Sequence, residues 1–191
     1  MINIYDFDDT IFDGDSSVCF IKYSLIHKPF LVLFSALKTI KEVIKYIFHK
    51  SDIGLIKSEL FSFVKYIKNF DEYMDNYVLK YQDRIKPYYL EKHQASDVVI
   101  SASFEFIVKP LCEKLNITRV IGTKYDVTKG QIIGKNCKGK EKIKRFREIY
   151  KDVVVNEAYS DSLSDVPMFE IAKKGYLVEG YDLVLYENNN K

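Results

Sequence analysis

The chain has 191 residues, of which 47% are apolar, so it can bury the core of one domain with a small insertion, and long disorder is excluded. A net charge of +2 argues neither for nor against nucleic acid, but only four of the basic residues are arginines, and we expect no nucleic-acid partner. The three cysteines are widely spaced and form no CxxC pair, which fits a reducing compartment and no structural zinc.

The N-terminus shows no signal-peptide pattern, because it runs directly into a short apolar segment and then into acidic residues. The longest apolar run, at about residues 30–37, falls far short of the roughly 20 residues that a membrane span needs. We therefore predict a cytoplasmic chain without stable membrane insertion. Nothing in the sequence indicates its oligomeric state.

The first predicted element is a short apolar strand at residues 2–5, which ends abruptly in Asp6-Phe7-Asp8-Asp9-Thr10. From residue 16 to about residue 86 the apolar pattern becomes helical and predicts a bundle of three or four helices. Pro29 is well placed as the first residue of a helix, and Ser51 or Asp52 can cap the next one.

Apolar residues recur at helical spacing after Pro29. They are Phe30, Leu33, Phe34, Leu37, Ile40, Ile44 and Ile47. We interpret this stripe, which reaches Phe48, as packing within the helical bundle. Peripheral contact with a membrane surface is the alternative.

Strands and helices alternate in the rest of the chain. Strands are predicted at 97–101, 119–121, 153–159, 176–178 and 183–186, a hairpin at 125–133, and helices at 104–115, 140–150 and 166–173. This alternation is typical of a mainly parallel sheet with helices on both faces. We therefore predict an α/β fold, with a Rossmann-like parallel sheet core (1–14 and 87–191) and an inserted α-helical cap (15–86).

Several chemically useful side chains fall where this topology brings strand ends together. Asp6 and Asp8 follow the first strand, Ser101 ends the second, Lys142 lies at the start of a helix, and Asp161 and Asp165 follow the strand at 153–159. An oxygen-only cluster without histidine or cysteine suits Mg²⁺. A lysine beside it adds positive charge that a bound anion would require, and phosphate is the natural candidate.

The spacing of Asp6 and Asp8 places both carboxylates on the same side of an extended segment. One can then contact phosphorus while the other reaches the leaving oxygen. This permits covalent catalysis by Asp6, with Asp8 protonating the departing alkoxide and later deprotonating the attacking water.

These residues resemble the four motifs of the haloacid dehalogenase (HAD) superfamily of phosphatases, in the order in which they occur there. The first, DxDx(T/V), matches Asp6-Phe7-Asp8-Asp9-Thr10, and the second, a Ser or Thr after an apolar strand, matches Val98-Val99-Ile100-Ser101. The third, a lysine, falls in Gly139-Lys140-Glu141-Lys142, and the fourth, an acidic pair, falls in 160–165. The helices after the first motif resemble the cap of the phosphoserine-phosphatase-like branch.

The resemblance implies Mg²⁺ as cofactor and a role for each matching residue. Asp6 would be nucleophile and metal ligand, and Asp8 the acid and base whose backbone carbonyl also touches the metal. Thr10 would hold the loop, Ser101 and Lys142 would bind the phosphoryl group, Asp161 would bind the metal, and Asp165 would hold the metal shell or Lys142. When the third motif is aligned with residues 139–142, its lysine matches Lys142 better than Lys140. Asp9 stands where glycine is common.

Two readings of Asp15 stay open. Phosphoserine phosphatases place an acidic residue facing the substrate amine at this distance from the nucleophile, so Asp15 is a candidate for the substrate pocket. The alternative is an N-cap of the helix that carries Val18.

The function that we predict is Mg²⁺-dependent hydrolysis of a small phosphorylated metabolite through an aspartyl-phosphate intermediate. Residues 1–83 contain no arginine, which argues against phosphoserine, because its carboxylate is typically recognised by an arginine of the cap. The apolar cap leaves a lipid-phosphate phosphatase open. A phosphotransferase and a non-catalytic phosphate-binding protein on the same fold are further alternatives.

Overall fold

A six-stranded sheet lies at the centre of the computed structural model, which describes residues 1–49 and 53–187. Its strands are β1 (Ile2–Tyr5), β2 (Val98–Phe104), β3 (Val120–Thr123), β6 (Val155–Ser160), β7 (Ala172–Glu179) and β8 (Asp182–Tyr186), and β4 (Tyr125–Asp126) pairs with β5 (Gln131–Ile132) in a separate hairpin. The order is β3-β2-β1-β6-β7-β8, and every neighbouring pair is parallel except β7 and β8. The predicted α/β class with a mainly parallel sheet is confirmed.

Helices lie in the segments that the periodicity predicts and also at Pro87–Lys92, where none was predicted. They are α1 (Ser16–His27), α2 (Pro29–Ile47), α3 (Ile53–Leu60), α4 (Phe70–Tyr81), α5 (Pro87–Lys92), α6 (Glu105–Glu113), α7 (Lys140–Tyr150) and α8 (Val166–Glu170). Short 3₁₀ turns lie at Ser62–Tyr66, Gln82–Arg84 and Leu163–Asp165. Helix α8 ends before the predicted residue 173, because Ala172 already begins β7. The proposed caps Ser51 and Asp52 lie outside the described residues, as does the C-terminal tail at 188–191.

The sheet has a hydrophobic cluster on each face, because side chains alternate along a strand. Tyr5 and Val99 belong to one cluster, whereas Ile4 and Ile100 belong to the other. The first cluster extends into the helices between β1 and β2, where the ring centroids of Phe61 and Phe104 lie 4.9 Å apart. Aromatic packing therefore fixes these helices on the sheet. The division into a core and a cap stays a prediction.

Helix α2 presents its apolar stripe to the solvent. Phe30 is 84% exposed and Leu37 is 59% exposed, while Ser35 and Thr39 are buried. The interpretation of the stripe as packing within the bundle is therefore wrong. Small polar side chains of α2 face the protein instead. They contact the 3₁₀ turn at Ser62–Tyr66, where the Oγ atoms of Ser35 and Ser62 are 3.1 Å apart.

Among the helices described, none is both long and apolar enough to cross a membrane.

Asp97, just before β2, is a buried carboxylate that destabilises the fold when it is ionised. Its Oδ2 accepts a hydrogen bond from the backbone N–H of Gln94 at 2.8 Å, while Oδ1 is buried without a partner. Burial raises the pKa of Asp97 from 3.8 to about 6. The folded state therefore binds the proton more tightly than the unfolded chain, and this group lowers stability as the pH rises from about 4 to about 6.

Asp97→Asn is expected to raise the free energy of unfolding by about 1–2 kcal/mol at about pH 7.5, because the amide carries no charge to desolvate. Near pH 4 the gain should vanish, since aspartate is then protonated in the folded state. Urea unfolding at both pH values measures the difference. A gain of the same size at both would contradict this assignment.

Candidate active site

The chain turns sharply after β1, around the backbone carbonyl of Phe7. This oxygen accepts hydrogen bonds from the N–H groups of Ile11 and Phe12, both at 2.9 Å. Asp9 has a φ of 52°, in the left-handed region that favours glycine and that aspartate tolerates better than most residues. The departure from glycine at this position therefore leaves the turn intact, and Asp6 lies at its start.

Asp6, Lys142 and Asp165 form a buried ion cluster beneath this turn. The Nζ atom of Lys142 lies 2.8 Å from Oδ1 of Asp6 and 2.6 Å from Oδ2 of Asp165, and its side chain is 2% exposed. The hydroxyl of Ser160 donates to the same oxygen of Asp165 at 2.8 Å. Lys140 is exposed, so the structure brings Lys142 and not Lys140 to the cluster.

One buried ammonium faces two carboxylates, so the cluster has an excess of negative charge. Burial raises the pKa of Asp6 to about 7, and the charge of Asp165 adds to this rise, although Lys142 opposes it. Burial also disfavours the ammonium of Lys142, yet the two carboxylates hold its pKa above the ordinary value. A further cation close to Asp6 would relieve this imbalance.

Asp8 lies against β2 and the start of α1. Its Oδ1 accepts the backbone N–H of Ser16 at 2.7 Å, and its Oδ2 accepts the hydroxyls of Ser103 at 2.5 Å and Ser101 at 3.4 Å. Burial raises the pKa of Asp8, and the hydrogen bonds from Ser103 and Ser16 offset part of this effect. A carboxyl group that retains its proton more readily than usual suits a general acid.

Ser101 is fully buried and its Oγ accepts the N–H of Ser103 at 2.9 Å. It contacts Asp8 but does not line the cavity beside Asp6, whereas Ala102 and Ser103 do. Strand β2 continues past the predicted end at Ser101 to Phe104, and this places Ser103 at the wall. Ser103 was not predicted as a site residue. The phosphate-binding role of Ser101 stays a prediction.

Thr10 joins the loop after β1 to the loop after β6. Its Oγ1 accepts the backbone N–H of Asp161 at 2.9 Å and donates to Oδ1 of the same residue at 3.3 Å. The predicted loop-holding residue therefore lies next to the predicted metal ligand.

A cavity of about 240 Å³ lies at the carboxyl edge of the sheet. It is lined by Asp6, Asp8, Ser103, Lys142, Asp161 and Asp165. Lys57 of α3 and Lys138 also line it, and neither was singled out from the sequence. The Nζ atom of Lys57 donates to the carbonyl of Ala102 at 2.9 Å. Asp15 is the N-cap of α1, because its Oδ1 accepts the N–H of Val18 at 2.9 Å. It also lines the cavity, and its contact with a substrate stays a prediction.

The oxygen atoms near Asp6 suit a magnesium ion that keeps several of its waters. Within the described part of the chain, they do not form a cage in which every ligand comes from the protein. Across residues 1–49 and 53–187, no three histidine, cysteine or acidic side chains form a metal-holding group by themselves. Mg²⁺ usually binds one or two carboxylates and keeps water and substrate oxygens in its remaining positions. Oδ1 of Asp165 is buried without a hydrogen-bond donor, and a metal-bound water would satisfy it. Asp6, Asp8 and Asp161 line the same cavity, and their role as metal ligands stays a prediction.

Lys86 holds the loop after β1 from the opposite side. It is 3% exposed, and its Nζ donates to the backbone carbonyls of Asp9 and Gly180, the latter at 2.6 Å. Lys86→Met retains an apolar stem but leaves both carbonyls without a donor. We therefore expect the free energy of unfolding, measured in urea, to fall by roughly 2–3 kcal/mol. Lys92→Met, on the exposed side of α5, is the matched control. Equal stability of the two variants would contradict a holding role for Lys86.

The chain is similar in sequence to a known family and to several known proteins. A family model described as haloacid dehalogenase-like hydrolase matches residues 4–170. Protein CicA of Caulobacter vibrioides is 36% identical over 91 residues, which cover 44% of this chain and 41% of CicA. A histidinol-phosphatase of Neisseria meningitidis serogroup C is 28% identical over 118 residues, covering 54% of this chain and 53% of that protein. The matches thus span about half the length of these relatives or less.

A solved structure supports the same fold over nearly the whole chain. It is a phosphoserine phosphohydrolase-like protein from Francisella tularensis, with a TM-score of 0.56 and 15% sequence identity. The alignment covers 92% of this chain and 86% of that one. At this identity the likeness concerns the fold alone.

Proposed function

The chain belongs to the haloacid dehalogenase-like hydrolase family, and on this basis we propose that it is a Mg²⁺-dependent phosphatase that uses Asp6 as nucleophile and Asp8 as acid and base. One observation carries the proposal. A buried lysine lies between Asp6 and Asp165, and Asp8 lines the same cavity of about 240 Å³. Such a site can neutralise a phosphoryl group, and it holds one carboxylate for attack and another for proton transfer.

In the first step, a carboxylate oxygen of Asp6 forms a bond to phosphorus while the bond from phosphorus to the ester oxygen breaks. Asp8 gives its proton to that departing oxygen, and the alcohol leaves. In the second step, Asp8 takes a proton from water as the water oxygen bonds to phosphorus. The bond between phosphorus and Asp6 breaks, which releases inorganic phosphate and restores the carboxylate of Asp6 and the protonated carboxyl group of Asp8.

Lys142 assists by placing positive charge beside Asp6, where the phosphoryl oxygens would lie. Magnesium, when bound by Asp6, Asp161 and the carbonyl of Asp8, would supply further positive charge to the phosphoryl group. Thr10 keeps Asp161 beside the loop that carries Asp6, through its two hydrogen bonds to that residue. These supports act on position and charge and leave the covalent chemistry to Asp6.

The substrate that we propose is a small phosphorylated metabolite, because the cavity has room for a phosphoryl group and is lined mostly by charged and polar side chains. Its rim carries both charges, with Asp15 and Lys57 on the cap side. A lipid phosphate is the second candidate, and the exposed apolar side of α2 is the observation that favours it.

The proposal is tested by a panel of phosphorylated metabolites and short-chain lipid phosphates, with released phosphate as the readout. We expect release with added Mg²⁺, none in EDTA, and recovery when Mg²⁺ is restored. Glycerol in the assay detects transfer to an alcohol instead of water. Full activity in EDTA would refute the metal requirement, and tight phosphate binding without turnover of any ester would indicate a binding protein.

A further inference from the structure

Helix α2 carries an apolar surface that the rest of the described chain leaves uncovered. We call it the α2 outer face and define it as Phe30, Leu33, Phe34, Leu37, Ile40, Ile44 and Ile47, which are between 49% and 84% exposed. At 100° per residue these side chains share one side of the helix. Seven large apolar side chains on one helix form a surface that soluble proteins rarely present to water.

The inward side of the same helix contains small and polar residues. Val32, Ser35 and Thr39 are its buried members, and Thr39 bonds back to the carbonyl of Ser35 at 2.8 Å. A helix on the surface of a globular protein normally buries its apolar side and exposes its polar side. Because α2 does the reverse, its apolar side chains contribute little to the fold, and another surface is needed to bury them.

Lysines border the outer face. Lys38, Lys41 and Lys45 fall along one edge of it on the helical wheel, and Glu42 is the only acidic residue between positions 28 and 49. Glu42 lies 2.6 Å from Lys45 in an ion pair. The Nζ atom of Lys38 is 4.3 Å from the centroid of the Phe34 ring, so its stem runs along the apolar side.

We propose that the α2 outer face lies on an anionic lipid membrane, parallel to its surface. The helix is about 28 Å long, and an interfacial helix of this kind buries apolar side chains beneath headgroups that its lysines contact. The lysine edge decides between occupants. A second copy of the chain would offer the same excess of lysines, whereas anionic headgroups complement them. No step of the proposed hydrolysis requires this contact, so the inference goes beyond that function.

Flotation with vesicles tests the proposal without any phosphorylated substrate. We expect the chain to float with equimolar phosphatidylglycerol and phosphatidylcholine and to bind phosphatidylcholine alone far more weakly. Phe34→Gln combined with Leu37→Gln should lower the partition constant at least about tenfold, because each side chain loses much of its transfer free energy. Lys38→Gln combined with Lys41→Gln should weaken binding roughly tenfold at low salt and much less at high salt.

The matched control is Leu79→Gln combined with Ile149→Gln, which changes side chains that are 59% and 60% exposed on other helices. It should bind vesicles like the unmodified chain, and all variants should unfold at similar temperatures. The proposal is overturned if the unmodified chain binds neither vesicle, or if Phe34→Gln with Leu37→Gln binds as well as the control. The proposal would also be overturned if the unmodified chain bound no vesicles and sedimented as a dimer that only Phe34→Gln with Leu37→Gln dissociates. That result would assign the face to a second copy.

Discussion

Asparagine in place of Asp6 is expected to lower kcat for phosphate release by about 10⁴-fold or more, equivalent to at least roughly 5 kcal/mol of barrier. The amide has nearly the same size as the carboxylate but no anionic oxygen to form a bond with phosphorus. Because burial already raises the pKa of Asp6 to about 7, the neutral amide should be tolerated in the fold. Steady-state assays of phosphate release, with thermal unfolding alongside, measure both quantities.

Asp13→Asn is the matched control for this substitution. Asp13 lies on the same turn, but its carboxylate is 49% exposed and pairs only loosely with Arg84, at 3.5 Å. We expect its kcat to stay within about twofold of the unmodified chain, since exposed ion pairs contribute little. Substantial turnover by a folded Asp6→Asn variant would show that another group attacks the phosphate.

Lys142→Met is expected to impair both the fold and the activity. The substitution leaves Asp6 and Asp165 as buried carboxylates without their shared ammonium, which should cost about 3–5 kcal/mol of stability. The pKa of Asp6 should rise further, because the opposing charge of Lys142 is lost. The folded variant then binds protons more tightly than its unfolded chain, so its deficit should grow as the pH rises and shrink as it falls.

Lys140→Met is the control, because Lys140 lies on the first turn of the same helix and is exposed. Urea unfolding of both variants at about pH 5.5 and about pH 8 separates charge loss from general damage to α7. A deficit independent of pH, or a loss of equal size in Lys140→Met, would count against the buried cluster as the cause.

The position of the site could be predicted from the sequence, because the apolar centres of the strands are visible in local patterns. The apolar run before Asp6 and the runs before Ser101 and Asp161 predict neighbouring parallel strands, and parallel strands share one carboxyl edge. Helix α7 was predicted with its observed bounds, and Gly139 precedes it with a positive φ of 55°. Topology placed the start of this helix near the site, and the resemblance to the third motif selected Lys142 over Lys140.

Other features depend on tertiary contacts that no local pattern encodes. Helical periodicity shows that α2 has one apolar side, but it does not indicate whether that side faces the protein or the solvent. Lys57 resembles any other lysine of an amphipathic helix until α3 is placed against Ala102. Ser103 reaches the cavity because β2 runs beyond Ser101, and strand ends are harder to locate than strand centres.

Rapid-quench mass spectrometry can show directly whether Asp6 itself receives the phosphoryl group. The enzyme would be mixed with Mg²⁺ and a substrate from the panel, quenched in acid during turnover, and digested. We expect one phosphoryl group on the peptide that contains Asp6, which hydroxylamine removes and which Asp6→Asn lacks. Sustained turnover with no phosphorylated peptide, or with the phosphoryl group on another residue, would contradict it.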